Sequence, residues 1–203
     1  MKDNVEAKIL NASVDCFERF GIRRATMEDI AQTAGVSRKT VYRHFANKSE
    51  LIAALVERET IQVVELALAR LTLTHQPDML VAAAEFALLE EALSSPRYHL
   101  FVQPDQAIPT LDLLRRHQTR ARILGRYWTP VLDELARREA LRTDVPRSEL
   151  FEWIVFVHVT LLTSAGSIGV GGERVTVETL RRYLSPAVVA TADVCQSTVL
   201  SAD

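Results

Sequence analysis

The sequence lacks most features that mark a secreted or membrane protein. Its 203 residues contain two cysteines, Cys16 and Cys195, which form no Cys-X-X-Cys pair and no metal-ligand spacing. The longest apolar run, WIVFVHVTLL, is too short to span a bilayer, and the polar N-terminus does not have the pattern of a signal peptide. We therefore expect a soluble, cytoplasmic protein with no membrane partner. Its cysteines should be free and buried, since a disulfide would require the two ends of the chain to meet.

The motifs that identify common enzymes are also missing. The chain has no GxSxG, no phosphate-binding loop, no HExxH and no glycine-rich dinucleotide fingerprint. We expect no catalytic residues, no metal and no cofactor. An all-α enzyme with scattered catalytic groups, or a helical module that binds a protein partner, remains the alternative from another class.

The whole chain has little excess charge of either sign, since its formal net charge is −2, but its positive charge is concentrated in one segment. Residues 19–48 carry seven Lys and Arg against Glu28 and Asp29, a local charge of +5 (7 − 2). A basic patch on a near-neutral protein indicates a surface that meets a polyanion. The alternative is a solvated basic hairpin. The seven cations are Arg19, Arg23, Arg24, Arg38, Lys39, Arg43 and Lys48.

Helical periodicity runs through the chain, whose hydrophobic fraction of 48% is enough for a substantial core. It predicts an all-α fold of nine or ten helices. The run WIVFVHVTLL also suits a strand, but its periodic flanks favour a buried helix. The helices are expected over residues 5–20, 27–34, 38–45, 48–71, 78–94, 110–140, 147–165 and 177–200, with a short one inside 94–109 and N-caps at Thr26, Ser37, Asn47 and Thr176.

Residues 26–48, TMEDIAQTAGVSRKTVYRHFANK, have the spacing of a helix-turn-helix motif. Ala31 is small enough for two helices to approach, and Gly35 suits a left-handed turn. Val41 and Phe45 are expected to face inward, with Ile30 in the same core. In this motif the second helix enters the major groove of DNA, and its outward side chains contact phosphates and bases.

The segment 9–55 resembles the N-terminal domain of the tetracycline-repressor (TetR) family of transcriptional regulators. The matching patterns are F-x-x-x-G at 17–21, T-x-x-D-I-A-x-x-A-G-V-S at 26–37 and T-V-Y-R-H-F-x-x-K at 40–48. The rest of the chain matches only in outline. The resemblance implies an N-terminal three-helix helix-turn-helix DNA-binding domain over 1–47. It implies a larger C-terminal helical ligand-binding and dimerisation domain over 48–203.

The resemblance also implies a function. The expected protein is a ligand-responsive regulator, with repression as the family's commoner role, that binds a palindromic DNA operator as a homodimer and is released by a small molecule. A non-specific DNA-binding protein would instead bind every duplex alike. The expected DNA-binding residues are Thr26, Tyr42, His44 and Lys48 at phosphate-contacting positions, Arg38, Lys39 and Thr40 at base-reaching positions, Arg43 at either, and the cap Ser37.

The larger domain offers candidates for an effector pocket. Trp128 stands beside Pro130, which interrupts a helix and leaves irregular space that suits an apolar or amphipathic ligand. The alternative is that Trp128 fills the core, and that His117 and His158 are hydrogen-bonded core histidines. The candidate ligand-binding residues are Phe86, Tyr127, Trp128, Trp153 and His158.

Two further surfaces are expected on the later helices. One stripe of helix 147–165 is expected at the dimer interface, although a monomeric core helix would have the same pattern. The residues expected there are Phe151, Ile154, Val155 and Leu162, which share a stripe with His158. Trp153, Phe156 and Val157 lie off this stripe, and one set can face the partner while the other faces the subunit's own core. A basic run on helix 110–140 is expected to be a solvated face, with an anionic ligand or acidic partner as the alternative. It comprises Arg115, Arg116, Arg120, Arg122 and Arg126.

Overall fold

The computed structural model describes residues 2–102, 119–164 and 174–190. The described ranges contain ten helices, and the prediction of an all-α fold is confirmed. Within these ranges no strand forms, and one isolated antiparallel bridge joins Leu141 to Val189. The helices are α1 (Lys2–Phe20), α2 (Met27–Thr33), α3 (Arg38–His44), α4 (Lys48–Arg70), α5 (Pro77–Ser94), α6 (Pro96–Val102), α7 (Thr119–Arg137), α8 (Arg147–Ser164), α9 (Val177–Tyr183) and α10 (Ser185–Val188).

The helices group into two compact units. The first takes in Met1–Gln62 and Leu93–Arg120, and the second Val63–Ala92 and Ala121–Asp203. Helix α4 therefore begins in the first unit and ends in the second. The expected functional boundary between residues 47 and 48 stays a prediction, because a unit of packing need not coincide with a unit of function.

The first unit has one hydrophobic core. Val41 and Phe45 are buried in it together with Ile30, so the inward face predicted for α3 is confirmed. Each large apolar side chain buried there contributes about 1.5–3 kcal/mol. Helix α6 adds Phe101 to the same core, and α1 and α4 supply the rest. Their largest buried members are Ile9, Phe17, Leu51 and Leu55.

Cys16 lies in this core as a free, buried thiol. Its sulfur lies 3.2 Å from the hydroxyl of Thr33 on α2. Cys195, with which a disulfide was the alternative, lies outside the described residues.

The turn between α2 and α3 depends on Gly35. Its φ of 59° is left-handed, and its N–H donates to the carbonyl of Gln32 at 3.0 Å. The next N–H, from Val36, donates to Ala31 at 3.0 Å and closes the turn. A Cβ at Gly35 would meet only the amino group of Lys8, at an ordinary 3.7 Å. Glycine is therefore required by the backbone angle and not by lack of space.

In the second unit α7 shows the predicted apolar stripe. Leu124, Trp128, Val131 and Leu135 are all buried, and Pro130 lies inside the helix. Leu114 and His117, which begin the stripe in the sequence, lie outside the described residues. Helix α5 is buried on several faces at once, as expected for a helix inside a protein.

The run WIVFVHVTLL lies within α8, so the helical interpretation is confirmed and the strand alternative is wrong. Helix α8 buries one side, marked by Leu150, Ile154, His158 and Leu162. None of the helices in the described part of the chain is both long and apolar enough to cross a membrane.

The prediction of one continuous helix from Thr176 onward is wrong for residues 177–190. Helix α9 ends at Tyr183, and α10 begins at Ser185 with Pro186 in its first turn. Proline has no N–H to donate, and its ring would clash with the carbonyl four residues earlier in a continuous helix. After α10 the chain is extended, and Ala190 N–H donates to the carbonyl of Ala140 at 2.9 Å. Residues 191–200 lie outside the described ranges.

Two residues with a left-handed backbone conformation, Gly35 and Glu139, should show opposite changes in stability when they are substituted. Gly35→Ala should lower the free energy of unfolding by about 1–2 kcal/mol, because alanine is strained at φ 59°. Glu139→Gly, at the exposed C-terminal end of α7 where φ is 54°, should raise it by up to about 1 kcal/mol. Urea denaturation of both variants measures these changes.

Gly125→Ala is the matched control for the first variant. Gly125 lies inside α7, and an added Cβ would meet only the ring of Phe151, at 3.9 Å. Alanine should be tolerated or stabilising there. If all three variants shift stability in the same direction, backbone conformation does not govern these positions.

Candidate functional site

Helix α2 is fixed at its start by a complete capping box. The Thr26 hydroxyl accepts a hydrogen bond from the Asp29 N–H at 3.1 Å. The Asp29 carboxylate in turn accepts from the Thr26 N–H at 2.8 Å and from its hydroxyl at 2.6 Å. These bonds satisfy amide groups that a helix start leaves unpaired. Hydrogen bonds from the Thr26 hydroxyl and then from its backbone lower the pKa of Asp29, with a smaller contribution from the charge of Lys48.

Helix α3 is capped by Ser37, whose hydroxyl accepts from the Thr40 N–H at 3.1 Å. The two hydroxyls of Ser37 and Thr40 lie 2.8 Å apart. Ser37 therefore has a structural role in this form of the protein, at the point where the chain turns into α3. The cap sets the direction in which the next residues project.

The face of α3 opposite the core is exposed and basic. Arg38, Lys39 and Arg43 are all exposed, as is Tyr42, with 41% of its surface accessible. The guanidinium of Arg38 lies 5.6 Å from the centre of the Tyr42 ring. The structure thus places these four predicted DNA-binding residues on one surface, and Thr26 is exposed at the start of the neighbouring helix.

An acidic side chain adjoins this surface. The Glu28 carboxylate lies 3.6 Å from the Arg38 guanidinium, and both groups are well exposed. Sequence reasoning counted Glu28 against the local positive charge of residues 19–48. The only indication of this contact in the sequence was the position of Glu28 on α2. Its approach to Arg38 depends on how α2 and α3 pack, which the sequence alone does not give.

His44 is placed differently from the other candidates. Only 6% of its side chain is exposed, and its Nδ1 lies 3.9 Å from the carboxylate of Glu6 on α1. The Phe45 ring is 6.4 Å away. The imidazole is therefore covered in the DNA-free chain, which the outward position expected from the sequence did not anticipate.

Lys48, at the start of α4, makes two hydrogen bonds within the unit. Its ammonium group donates to the carbonyl of Ala25 at 2.6 Å and to that of Arg23 at 3.2 Å. Partial burial lowers the pKa of Lys48, and the charge of Asp29 opposes this effect. An ammonium group has three N–H donors, so one remains for a phosphate. Lys48 thus connects α4 to the segment that precedes Thr26.

This arrangement fits a nucleic-acid backbone better than a small anion or a metal. The cations lie on an exposed surface beside a capped helix and not in a pocket. Among the described residues no group of three or more His, Cys, Asp or Glu could hold a metal ion. Phosphate contacts and base contacts from one short helix are the chemistry that such a surface supports.

The candidate effector residues separate into two places in the second unit. Tyr127 and Trp128 are completely buried, with their rings edge to face at 5.7 Å. His158 is also buried, whereas Phe86 is half-buried. Trp153 lies apart from them, on an open surface groove that Phe156 also lines. Sequence reasoning therefore grouped residues that the structure does not bring together.

The buried residues include one that sequence reasoning missed, Glu85. Its carboxylate Oε1 lies 2.8 Å from Nδ1 of His158, and neither side chain is accessible to solvent. The adjacent Ala84 carbonyl accepts from the Tyr127 hydroxyl at 2.8 Å. Burial and then the charge of Glu85 raise the pKa of Tyr127, against the opposing charge of Arg70. The signal in the sequence was a lone acidic residue within the apolar run MLVAAAEFALL.

The candidate dimer residues are divided between two faces of α8. Ile154 and Leu162 are buried within the chain itself, and Phe151 and Val155 are half-buried. The exposed apolar side chains of α8 are instead Trp153, at 47%, and Phe156, at 56%. Their rings stack at 5.5 Å with an interplanar angle of 27°. The exposed apolar surface of α8 is therefore the Trp153–Phe156 face.

Only part of the basic run lies within the described residues. Arg122 and Arg126 are exposed on α7. Arg115, Arg116 and the side chain of Arg120 lie outside the described residues. Whether the run is a solvated face or binds an anion stays a prediction.

Comparisons with known proteins agree with this geometry. The model of the family "Bacterial regulatory proteins, tetR family" matches residues 9–55. A curated HTH-type transcriptional repressor of Mycobacterium tuberculosis is 30% identical over 159 residues, which cover 69% of this chain and 84% of that protein. The HTH-type transcriptional regulator TtgR of Pseudomonas putida is 45% identical over 51 residues, which are 25% of this chain and only 24% of the relative.

A solved structure extends the likeness to the whole fold. The crystal structure of a tetR-family transcription regulator from Shewanella sp. PV-4 superposes with a TM-score of 0.64 at 17% identity. The superposition covers 92% of this chain and 99% of that one. At this identity the likeness supports the fold: an N-terminal helix-turn-helix followed by a helical C-terminal domain.

The capping box of α2 should make stability depend on pH. Because the pKa of Asp29 is lowered by folding, its contribution is complete above the ordinary value of 3.8 and is lost as the pH falls through the folded value. Asp29→Asn should therefore be less stable than wild type at pH 7, and the difference should shrink below pH 3.8. Urea denaturation at several pH values measures it.

Asp15→Asn is the control, since Asp15 is an exposed aspartate on α1 of the same unit. A difference between Asp29→Asn and wild type that stays constant down to low pH would contradict a role for the ionised carboxylate in the cap.

Proposed function

The chain belongs to the TetR family of bacterial transcriptional regulators, and we propose that it is a ligand-responsive repressor of transcription. It binds a palindromic operator in double-stranded DNA as a homodimer, and a small molecule bound in the second unit releases it. The observation that carries this proposal is the exposed basic face of α3, presented by a capped helix-turn-helix. The M. tuberculosis relative, whose name describes a repressor, supports the choice of repression over activation.

Each part of the interface has a separate role in DNA binding. Phosphate contacts set affinity and register, and we assign these to Thr26, Tyr42 and Lys48. Base contacts set sequence preference, and we assign these to Arg38, Lys39 and Thr40, with Arg43 serving either role. An arginine recognises guanine through two parallel hydrogen bonds, so Arg38 is the residue best suited to read a base pair. His44, being covered, acts by supporting α3 from within.

A homodimer would present two copies of α3 to adjacent major grooves, about 34–36 Å apart. The exposed stack of Trp153 and Phe156 supports such an assembly, because two large apolar rings are seldom left side by side in water. A second copy of the chain is the partner we assign to this face. Ile154 and Leu162 were expected at the interface from the sequence. They are buried in the core of the subunit, where they support the helix that carries the Trp153–Phe156 face.

Release by a small molecule requires that the ligand bind one conformation better than the other. Helix α4 is the element through which this difference would act, because it runs unbroken from Lys48 to Arg70 and belongs to both units. At its first turn Lys48 holds the carbonyls of Arg23 and Ala25. A displacement of α4 would therefore be transmitted to the start of α2.

Removing the exposed face of α3 should abolish operator binding. For the double variant Tyr42→Ala/Arg43→Ala we expect a loss of affinity on the order of 100-fold or more, because each lost contact is worth about 1–3 kcal/mol. Both side chains are exposed, so the melting temperature should stay close to wild type. The operator is first selected from a random duplex pool, and affinity is then measured by fluorescence anisotropy at several salt concentrations.

The matched control is Arg182→Ala/Tyr183→Ala, which removes an equivalent exposed pair on α9 with the guanidinium 5.9 Å from the ring. It should bind DNA as wild type does. Wild-type affinity should also fall steeply with salt, since phosphate binding releases counterions. A selection that yields no preferred sequence would indicate a non-specific DNA-binding protein. Unchanged binding by the α3 variant would refute α3 as the recognition helix.

A charge on the aromatic face of α8 should dissociate the dimer. Trp153→Glu should yield monomers with a folded helical spectrum, because the side chain is about half exposed in the single chain. Operator affinity should fall at least about tenfold through loss of the second half-site. Sedimentation velocity and anisotropy measure the two effects. Leu66→Glu, at a comparably exposed apolar residue of α4, is the control, and a dimeric Trp153→Glu would contradict the assigned interface.

A further inference from the structure

The buried polar groups of the described residues fall into two classes. Most have partners inside the protein: the Ser13, Thr60 and Ser185 hydroxyls donate to backbone carbonyls at 2.6–2.7 Å, and Glu59 is paired with Arg58 at 2.8 Å. Two buried side-chain atoms among the described residues have no hydrogen-bond partner. They are Oε2 of Glu85 and Nε1 of Trp128, and both belong to the second unit.

The two unpartnered atoms are chemically complementary. An indole nitrogen only donates a hydrogen bond, and a carboxylate oxygen accepts one. Glu85 already uses its other oxygen, Oε1, to hold His158 at 2.8 Å. The carboxylate is thereby fixed between α5 and α8, while its second oxygen stays without a donor.

Packing alone does not account for this pair. A buried ion pair is often no more stable than apolar residues of similar volume, and a partly satisfied polar network is worse than an apolar core. Tyr127, the neighbour of Trp128, is a buried polar side chain that does have a partner, because its hydroxyl donates to the carbonyl of Ala84 at 2.8 Å. A buried polar group without a partner calls for an explanation, and a bound ligand is one that would serve a donor and an acceptor together.

We infer that Glu85, His158 and Trp128 form the polar end of the effector site. The effector is a small molecule with an apolar body that carries an amine or hydroxyl donor for Glu85 Oε2 and presents an acceptor to the Trp128 indole. This inference rests on the proposed function only in naming the ligand as the effector. It narrows the expectation of an apolar or amphipathic ligand to an amphipathic one, because of Glu85, which sequence reasoning missed.

The free oxygen of Glu85 and the free N–H of Trp128 also predict which ligands the site excludes. A carboxylate headgroup has no proton to donate to Glu85 Oε2, and its charge would be repelled by that of Glu85. A plain hydrocarbon would leave both protein atoms unsatisfied. An ammonium or hydroxyl group satisfies the carboxylate, and an ammonium is favoured further by charge.

Matched probes test this selectivity on the full-length protein. One set has an aliphatic body (decylamine, decan-1-ol and decanoate), and the other an aromatic body (4-propylaniline, 4-propylphenol and 4-propylbenzoate). Binding is measured by isothermal titration and by the change in melting temperature. In parallel, the ¹⁵N–¹H resonance of the Trp128 indole is followed. The sequence contains two tryptophans, so comparison with Trp128→Phe assigns that resonance.

We expect an amine or hydroxyl probe of at least one body to bind at least about tenfold more tightly than the carboxylate of the same body. Binding of a hydroxyl probe should move the Trp128 indole resonance downfield, because its oxygen can accept a hydrogen bond from Nε1, which an ammonium group cannot do. Glu85→Gln should weaken the amine probe about tenfold or more, and Trp128→Phe should weaken the hydroxyl probe without loss of the fold.

Glu59→Gln is the matched control for Glu85→Gln, because Glu59 is an equally buried glutamate that already has its partner in the first unit. It should bind the probes as wild type does. If Glu85→Gln fails to fold, Trp128→Phe and the indole resonance still test the proposed site, since neither measurement requires removal of the Glu85 charge.

Three outcomes would overturn the inference: carboxylate probes that bind as tightly as their amine counterparts, a Glu85→Gln variant with wild-type affinity, or a Trp128 resonance that no probe moves. Operator release is scored separately by anisotropy. A molecule that releases DNA without needing Glu85 or Trp128 would leave the proposed regulator intact and refute this site. A probe that binds through Glu85 without releasing DNA would support the polar site and contradict its assignment to the effector.

Discussion

The ammonium group of Lys48 is the contact on which the candidate DNA-binding surface depends. It holds the carbonyls of Arg23 and Ala25, and so fixes the segment that leads into the Thr26 cap. The cap orients α2, and the turn at Gly35 then orients α3. Partial burial of the charge opposes its ionised form, as the lowered pKa indicates. The side chain that we propose to contact a phosphate therefore also holds together the surface proposed to bind DNA.

The helix-turn-helix could be predicted from the sequence because its signals are local. A capping residue acts three positions along the chain, as from Thr26 to Asp29, and a left-handed glycine acts on the residues beside it. The inward position of Val41 follows from the helical repeat. What escaped prediction depends on neighbours that are distant in sequence. The Glu6 carboxylate on α1 approaches His44, and the sequence of α3 alone gives no indication of that contact.

The second unit was harder to predict for two physical reasons. Helix α8 is apolar on both sides, so its repeat defines two stripes without indicating which one faces the core, and Ile154, expected at the dimer interface, is buried within the chain itself. The pairing of Glu85 with His158 joins positions 73 residues apart, and a pairing of that kind depends on how the helices pack. The break before Pro186 was foreseeable in principle, because proline rules cover it, but an apolar repeat across the break obscured it.

An effector alters DNA affinity only by the difference in free energy with which it binds two conformations of the protein. Apolar contacts are non-directional and change little when helices shift slightly. Hydrogen bonds depend steeply on angle and distance, so atoms fixed on different helices can distinguish the two conformations. Glu85 lies on α5 and is held from α8 by His158, and Trp128, whose indole nitrogen also has no partner, lies on α7. A ligand that bridges such atoms is therefore sensitive to the relative positions of the helices, which is the property that a regulatory ligand requires.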